Sequence, residues 1–234
     1  MIKNSILLCT FNEAKYIKNT ILNLERSIPN LEIIVVNDAS TDNTLSIIQN
    51  LQTKCILKII NRSKTKGLGS AFQRALIESQ GENIGWIDTN MGELAETFPK
   101  MIEKLKDHDL ILLSRYIKGG SDDRIFIRVF CSKLINIFCR FILSNKIKDY
   151  TSSIFIMKRK VLNETSVLGY GHGDFFIEFL YSVIKKGFSV NEIPYIQKKD
   201  DEDGNTTTSP NLFRFFILGY FYFLRVIITR FRRN

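Results

Sequence analysis

Short apolar runs alternate with amphipathic stretches along the first half of the chain. Runs of five to seven residues have the length and composition of buried strands, and they comprise Ser5–Thr10, Glu32–Asn37, Cys55–Asn61, Asn83–Asp88 and Leu110–Ser114. Between them the apolar positions recur at helical spacing, which predicts helices over Glu13–Arg26, Gly67–Ser79 and Phe98–Leu105. The alternation predicts an α/β domain of three layers, in which helices cover both faces of a mostly parallel sheet.

Polar clusters follow three of these predicted strands at the point where each strand ends. The clusters are Thr10–Glu13, Asn37–Ser40 and Asp88–Asn90. Ligands of open parallel sheets bind beyond the carboxyl ends of the strands. We therefore expect the three clusters to meet in one ligand-binding site.

The second half of the chain is richer in Phe, Ile and basic residues. Ile125–Leu143 predicts an amphipathic helix with basic residues near one face. A further helix is predicted over Gly173–Lys186 and a strand over Ser189–Ile193, followed by a polar loop over Lys198–Ser209. These elements would complete the α/β domain.

The apolar run Leu212–Ile228 is interrupted by two arginines and followed by further basic residues. It is compatible with a helix at a membrane interface, a helix packed on its own domain, or a membrane span. We favour an amphipathic helix at the membrane interface, sharing that face with the helix over residues 125–143. The predicted division is therefore an α/β domain over 1–209 and a membrane-associated helix over 210–234.

The charge balance narrows the class of partner. The 234 residues include 33 basic and 24 acidic side chains, a net charge of +9, which favours an anionic partner. The basic residues lie in apolar segments rather than in a nucleic-acid-binding motif, so we expect phosphorylated ligands or lipid headgroups and no nucleic acid. The four cysteines form no CxxC pair, which argues against zinc and is compatible with a reducing cytoplasm.

Several segments resemble, in order and rough spacing, the family 2 glycosyltransferases, in particular the branch of dolichol- and polyprenyl-phosphate mannose synthases. Thr10–Glu13 resembles the P-T-Y-N-E signature, and Val35–Thr44 resembles V-V-D-D-G-S-x-D-G-T. Gly67–Ala71 resembles the branch's G-L-G-A-A turn and helix, and Asp88–Lys100 stands where it has D-A-D-L-Q-H-P-P-E.

The resemblance continues into the second half of the chain. Ser114–Tyr116 matches G-S-R-Y, Asp149–Ser153 resembles D-x-T-S-G, and Glu192–Pro194 resembles the E-V-P strand. His172 falls near the substrate end of the resemblance and is a candidate for a sugar contact, whereas His108 lies in a polar turn.

The resemblance implies a GT-A fold, which is Rossmann-like, and an inverting transfer of a sugar from a UDP or GDP donor to a polyprenyl phosphate. The reaction would take place at the cytoplasmic face of the membrane, on a peripheral or monotopic protein, with a membrane partner protein or a second copy as further possible partners. A Mg²⁺ or Mn²⁺ ion would assist departure of the nucleotide. 

The resemblance also implies a role for each matching residue. Those implied to bind the donor nucleotide are Thr10, Phe11, Glu13, Asp38, Asp88 and Thr89. The implied metal ligands are Asp88 and Asn90, and the implied acceptor-phosphate ligands are Arg115, Arg128 and Ser132. The implied catalytic residues are Asp88, Arg115 and Asp149.

The chain departs from the pattern at positions that bear on activity. Asn90 replaces an aspartate of D-A-D and Gly92 replaces the glutamine, while Gly204–Thr207 lacks the lysine with which the acceptor loop of the family often ends. A neutral amide is a weaker ligand for a divalent cation than a carboxylate. A catalytically impaired, membrane-associated homologue that binds nucleotide sugars is therefore the alternative to an active enzyme.

Overall fold

A mixed β-sheet forms the centre of the protein. The computed structural model describes residues 2–64, 67–165, 167, 169–199 and 212–232. The strands of the central sheet are β1 (Asn4–Thr10), β2 (Leu31–Asn37), β3 (Ile56–Asn61), β4 (Asn83–Trp86), β5 (Leu110–Ser114), β7 (Phe155–Lys158) and β8 (Val190–Pro194). Their order is β3-β2-β1-β4-β7-β5-β8, and β7 runs antiparallel to both neighbours while the other neighbouring pairs are parallel. The predicted α/β class and mostly parallel sheet are confirmed.

Helices cover both faces of this sheet, and a two-stranded ribbon lies beside it. The helices are α1 (Ile17–Ser27), α2 (Thr44–Gln49), α3 (Leu68–Glu78), α4 (Phe98–Lys104), α5 (Phe126–Ile142), α6 (Arg159–Glu164), α7 (Phe175–Lys185) and α8 (Leu212–Phe231), with a 3₁₀ helix over Thr89–Thr97. The ribbon pairs β6 (Ser121–Asp122) with β9 (Ile196–Gln197).

Side chains of each strand alternate between two hydrophobic cores. Leu7 belongs to a core shared with α3, α5, α7 and α8, whereas its neighbours Ile6 and Leu8 face α1, the 3₁₀ helix and α4. Each fully buried Leu or Ile stabilises the fold by about 1.5–3 kcal/mol. In the first core Trp86 stacks on Phe72, with ring centroids 4.4 Å apart, so the end of β4 packs against aromatic side chains.

The structure differs from the predicted elements in several places, and α6, β6, β9 and the 3₁₀ helix are additions to them. Strand β7 was not predicted, because its four residues lack an alternating pattern and are followed at once by α6. Helix α1 begins at Ile17 rather than Glu13, since the backbone N–H groups of Tyr16 and Ile17 both donate to the carbonyl of Glu13 in a turn. Strand β4 ends at Trp86, two residues before Asp88, and most of the loop predicted over 198–209, with the predicted domain boundary, lies outside the described residues.

Helix α8 packs on α7 and α5 through one of its faces. The Phe138 and Phe223 rings lie 5.1 Å apart between α5 and α8. Arg225, only 8% exposed, donates to Asp174 (Nε–Oδ2 2.8 Å) and to Glu178 (Nη1–Oε2 3.3 Å) at the start of α7. Large apolar side chains on α8 that stay exposed are Ile217, Tyr220, Phe221, Ile227, Ile228 and Phe231. 

Helix α8 is thus packed on its own domain by one face, and its membrane contact stays a prediction. In the described part of the chain, no helix combines the length and apolar character needed to cross a membrane.

We expect Arg225→Met to lower the free energy of unfolding by about 3 kcal/mol, because it leaves the buried carboxylate of Asp174 without its cation, whereas Glu178 keeps its ion pair with Arg232. Urea denaturation would measure the change. Arg230→Ala, on the exposed side of the same helix, is the control and should alter stability by less than about 0.5 kcal/mol. Equal stability of Arg225→Met and the parent protein would contradict a structural role for the ion pair.

Candidate functional site

A cleft of about 1360 Å³ opens beyond the carboxyl ends of β1, β2 and β4. The predicted site residues that line it are Thr10, Phe11, Glu13, Asp38, Asp88, Thr89, Asn90, Arg115, Arg128 and Ser132. Asp149, fully buried, does not line the cleft but is bonded to Arg115. The fold therefore brings the three polar clusters together as expected from parallel strands.

The loops after β1 and β2 hold each other through side chains. Asn12, at φ 57°, accepts the backbone N–H of Thr41 (2.8 Å), and its own N–H donates to Ser40 Oγ (2.9 Å). Asn tolerates this left-handed conformation better than most residues. Ala39 has φ 59° where the family pattern has Gly, a backbone state that costs an L-residue roughly 1–2 kcal/mol.

Asp38 connects this loop pair to the start of α3. Its Oδ2 accepts the backbone N–H of Gly67 at 2.9 Å, and its carboxylate forms an ion pair with Arg62. Arg62 also donates to Ser70 Oγ (Nη1, 2.7 Å) in the first turn of α3. Arg62 was missed by the sequence analysis, because nothing in the sequence around it indicates a partner so far away.

Carboxylates lie together at this end of the cleft. Ser153 Oγ–H donates to Asp88 Oδ2 at 2.7 Å, and burial raises the pKa of Asp88 while that bond and the charge of His172 oppose the rise. Burial, followed by the charges of Asp88 and Asp42, raises the pKa of Glu13 to about 7. The side chain of Phe11, 41% exposed, offers an aromatic surface beside them.

The segment after β4 explains the departure at Gly92. Thr20 of α1 donates from Oγ1 to the carbonyl of Thr89 (2.6 Å), and a Cβ on Gly92 would lie 2.8 Å from Thr20 Cα. A glutamine could not occupy this position without moving α1. The packing of α1 against the 3₁₀ helix therefore excludes the family's third side chain.

The remaining donor set for a divalent cation is small. Asp88 is half-buried and Asn90 is exposed, and both line the cleft. Among the described residues, no three His, Cys, Asp or Glu side chains are grouped closely enough to hold a metal. A carboxylate and an amide oxygen nevertheless suit Mg²⁺ or Mn²⁺, whose other ligands are commonly water and substrate phosphate.

Arginines dominate the opposite end of the cleft. Arg115 makes a bidentate bond to Asp149 (Nε–Oδ2 2.8 Å, Nη2–Oδ1 2.7 Å), and its Nη1 lies 3.5 Å from Asp122 Oδ2. Arg124 also grips Asp122 through two bonds of 2.8 and 2.7 Å. Arg124 lines the cleft and was not among the predicted site residues. Its position directly before the predicted basic helix was the signal that could have identified it.

Helix α5 supplies the wall at this end. Ser132 Oγ lies 3.3 Å from Thr151 Oγ1, and Asn136 donates to the same Thr151 oxygen at 2.8 Å. Arg115 Nη2 is also 2.7 Å from Thr151 Oγ1. Arg128, four residues before Ser132, lines the cleft on the same helix. The chain segment around Thr151 thus fixes both Arg115 and α5.

We expect Glu13→Gln to stabilise the protein increasingly as the pH rises from about 4.5 to above 7. The raised pKa of Glu13 keeps it neutral in the fold while it ionises in the unfolded chain, so wild-type stability falls as the pH rises towards the folded pKa. Melting temperatures at pH 4, 6 and 8 would measure the effect, with no difference expected at pH 4. A constant difference across this range would contradict the assignment.

Comparisons with known proteins agree with this geometry. The model of the family "Glycosyl transferase family 2" matches residues 5–166. Dolichol-phosphate mannosyltransferase of Pyrococcus furiosus is 31% identical over 203 residues, which cover 82% of this chain and 56% of that protein. Polyprenol monophosphomannose synthase of Mycolicibacterium smegmatis is 27% identical over 81% of this chain and 75% of its own length. 

Solved structures show the same fold at low sequence identity. Glucosyl-3-phosphoglycerate synthase from Mycobacterium tuberculosis in complex with UDP aligns with a TM-score of 0.73 and 14% identity, over 99% of this chain and 81% of that one. Further structures of that synthase contain UDP with Mn²⁺ or with Mg²⁺. The family match covers more than half of the chain, and the sheet and helices have the GT-A-like arrangement of that synthase. This chain belongs to glycosyl transferase family 2.

Proposed function

We propose that this chain is an inverting glycosyltransferase that moves a sugar from a UDP or GDP donor to a polyprenyl phosphate at the cytoplasmic face of a membrane. The observation that carries the proposal is the polarity of the cleft, which has carboxylates at the strand ends and arginines at the far end. The names of the two relatives, a dolichol-phosphate and a polyprenol-monophosphate mannose enzyme, support this choice of acceptor. The chain spans about half the length of the first of them.

The strand-end half of the cleft suits the donor. Glu13 can accept hydrogen bonds from the N–H and O–H groups of a nucleoside, and the exposed ring of Phe11 can pack on its base. Asp38 positions the turn at Gly67 through its bond to the backbone N–H. Asp88 and Asn90 would hold the Mg²⁺ or Mn²⁺ ion, which as a Lewis acid stabilises the departing nucleoside diphosphate.

The arginine-rich half suits the phosphate of the acceptor. A phosphate oxygen is ionised at neutral pH, so it can attack the anomeric carbon without a dedicated general base. The new oxygen–carbon bond forms as the bond to the donor diphosphate breaks, with inversion at that carbon. Arg115, Arg124 and Arg128 surround this half, and Asp149 orients Arg115 by its bidentate bond.

The apolar surface of α5 and α8 suits the lipid part of the acceptor and the membrane that holds it. On α5, the exposed side chains are Phe126, Phe130, Leu134, Ile137 and Phe141, with exposed fractions of 44–86%. Their spacing of three or four residues puts them on one face of the helix. Lys133 and Arg140 flank this face, which is the composition of an interfacial helix.

A catalytically impaired, membrane-associated homologue that binds nucleotide sugars is the second candidate function. It is favoured by the reduced donor set, in which Asn90 and Gly92 replace two ligands of the family pattern.

We expect the chain to transfer sugar to a polyprenyl phosphate in the presence of Mn²⁺ or Mg²⁺, and Asp88→Ala to reduce the rate at least a hundredfold, because it removes the one carboxylate of the motif. A radiolabelled panel of UDP- and GDP-sugars would measure transfer and name the donor. Asp107→Ala, an exposed carboxylate outside the cleft, is the control and should retain full activity. Nucleotide-sugar binding without transfer would favour the impaired homologue.

We expect the paired change Phe126→Glu and Phe141→Glu to weaken binding to anionic vesicles about tenfold or more, since each phenylalanine buried in the interface contributes about 1.5–3 kcal/mol. Co-sedimentation would measure the partition. Ile77→Glu on α3, where the side chain is 69% exposed, is the matched control. Unchanged binding of the double variant would rule out α5 as the lipid contact.

A further inference from the structure

The donor half of the cleft carries an excess of negative charge. Its lining includes the carboxylates of Glu13, Asp38, Asp42 and Asp88. The arginines that line the cleft lie in the segment 115–128, at the opposite end. Among the described lining residues, His172 is the one side chain of the donor half that can carry a positive charge.

His172 lies close enough to Asp88 for its charge to act on that carboxylate. The structure records no hydrogen bond from its imidazole to any described residue, whereas its backbone N–H donates to Asp174 Oδ1 at 2.9 Å. The ring therefore lines the cleft with its hydrogen-bonding capacity available to a ligand.

The loop that carries His172 is tightly built around it. Gly171 and Gly173, on either side, have φ values of 103° and 129°. A Cβ on Gly171 would lie 2.5 Å from Asp174 Oδ1, and one on Gly173 would lie 2.6 Å from Tyr222 Oη of α8. Both positions therefore need glycine for backbone conformation and for space.

Two helices, α3 and α8, hold this loop against the donor half of the cleft. The carbonyl of Gly171 accepts the backbone N–H of Gly69 at 3.2 Å, in the first turn of α3 next to the Asp38–Gly67 contact. Asp174 Oδ2 accepts Arg225 Nε of α8 at 2.8 Å. A loop fixed in this way presents the imidazole of His172 at a defined place.

We propose that His172 binds the diphosphate of the donor directly. Its positive charge would compensate for a metal motif that has fewer ligands than the family pattern. The inference rests on the proposed function, since it takes the donor to be a nucleoside-diphosphate sugar. Asn90 contributes no charge, and Thr20 excludes a side chain at position 92. Asp38 is already paired with Arg62 and the pKa of Glu13 is raised to about 7, so Asp42 and Asp88 are the carboxylates that would repel a diphosphate here. A charge-assisted hydrogen bond from the His172 ring to the diphosphate would offset that repulsion.

The test is nucleotide binding in EDTA at about pH 6.5, without any metal. UDP and GDP, with uridine and guanosine as the forms lacking the diphosphate, would be titrated calorimetrically against wild type and His172→Ala. We expect His172→Ala to weaken binding of the diphosphate about 10- to 100-fold, which corresponds to loss of one charged hydrogen bond. Binding of the nucleoside should be unchanged, which also shows that the variant is folded.

Two further variants sharpen the result. His172→Lys keeps a cation at this place and should restore part of the preference for the diphosphate. His108→Ala, the change at the other histidine of the chain, lies outside the cleft lining and should bind like wild type.

Other outcomes overturn the inference. An effect of His172→Ala that appears only when Mn²⁺ is added would make His172 a metal ligand instead of a diphosphate ligand. Equal diphosphate binding by wild type and His172→Ala would reject the inference while leaving the proposed function intact. Failure of wild type to bind any of these nucleotides, with or without Mn²⁺, would reject both.

Discussion

The buried ion pair between Arg115 and Asp149 is the interaction on which both ends of the cleft depend. It joins the end of β5 to the turn that leads into β7, and Asp149 also accepts the backbone N–H of Arg115 at 3.0 Å. Two residues further on, Thr151 bonds to Asn136 of α5. Two residues after that, Ser153 bonds to Asp88 after β4. The segment from Asp149 to Ser153 thus fixes the positions of the arginine end, the α5 wall and the carboxylate end of the cleft.

This ion pair contributes more to the orientation of Arg115 than to the net stability of the fold. Desolvation of two charges offsets much of their attraction, yet removal of either partner leaves a buried charge and costs about 3–5 kcal/mol. The two parallel bonds also define the plane of the Arg115 guanidinium. Orientation of a cation before the substrate arrives lowers the cost of binding an anion, because less side-chain entropy is lost at that moment.

The sequence was sufficient for the features that depend on local pattern. Parallel strands end at one edge of a sheet, so the positions of Thr10, Asp38 and Asp88 at strand ends predicted a shared cleft, and the structure brings them together. Strand β7 could not be predicted, because its four residues are followed directly by α6 and carry no periodic signal of their own. The partner of Asp38 is Arg62. This pairing depends on tertiary packing and cannot be inferred from the spacing of the two residues in the sequence.

The departures from the family pattern also acquire physical causes only in three dimensions. Gly92 replaces a glutamine, and the space that a side chain would need is occupied by Thr20 of α1. Ala39 replaces a glycine and still adopts a positive φ, held by the contacts of its neighbour Ser40 with Asn12 and Asn37. Both changes are therefore accommodated by contacts of neighbouring residues.

Helix α8 shows that an arginine in an apolar run can have a role that its sequence pattern does not indicate. Arginines within its apolar run favour an interface over a membrane span, because a charge is costly in hydrocarbon. Arg225, however, is directed inward to Asp174 and Glu178. Its charge therefore stabilises the loop of His172. Only the opposite face of the helix, where Tyr220 and Phe221 are exposed, is relevant to a contact with lipid. The buried face of α8 therefore accounts for its packing on the domain, and a membrane contact has to be argued from its exposed face alone.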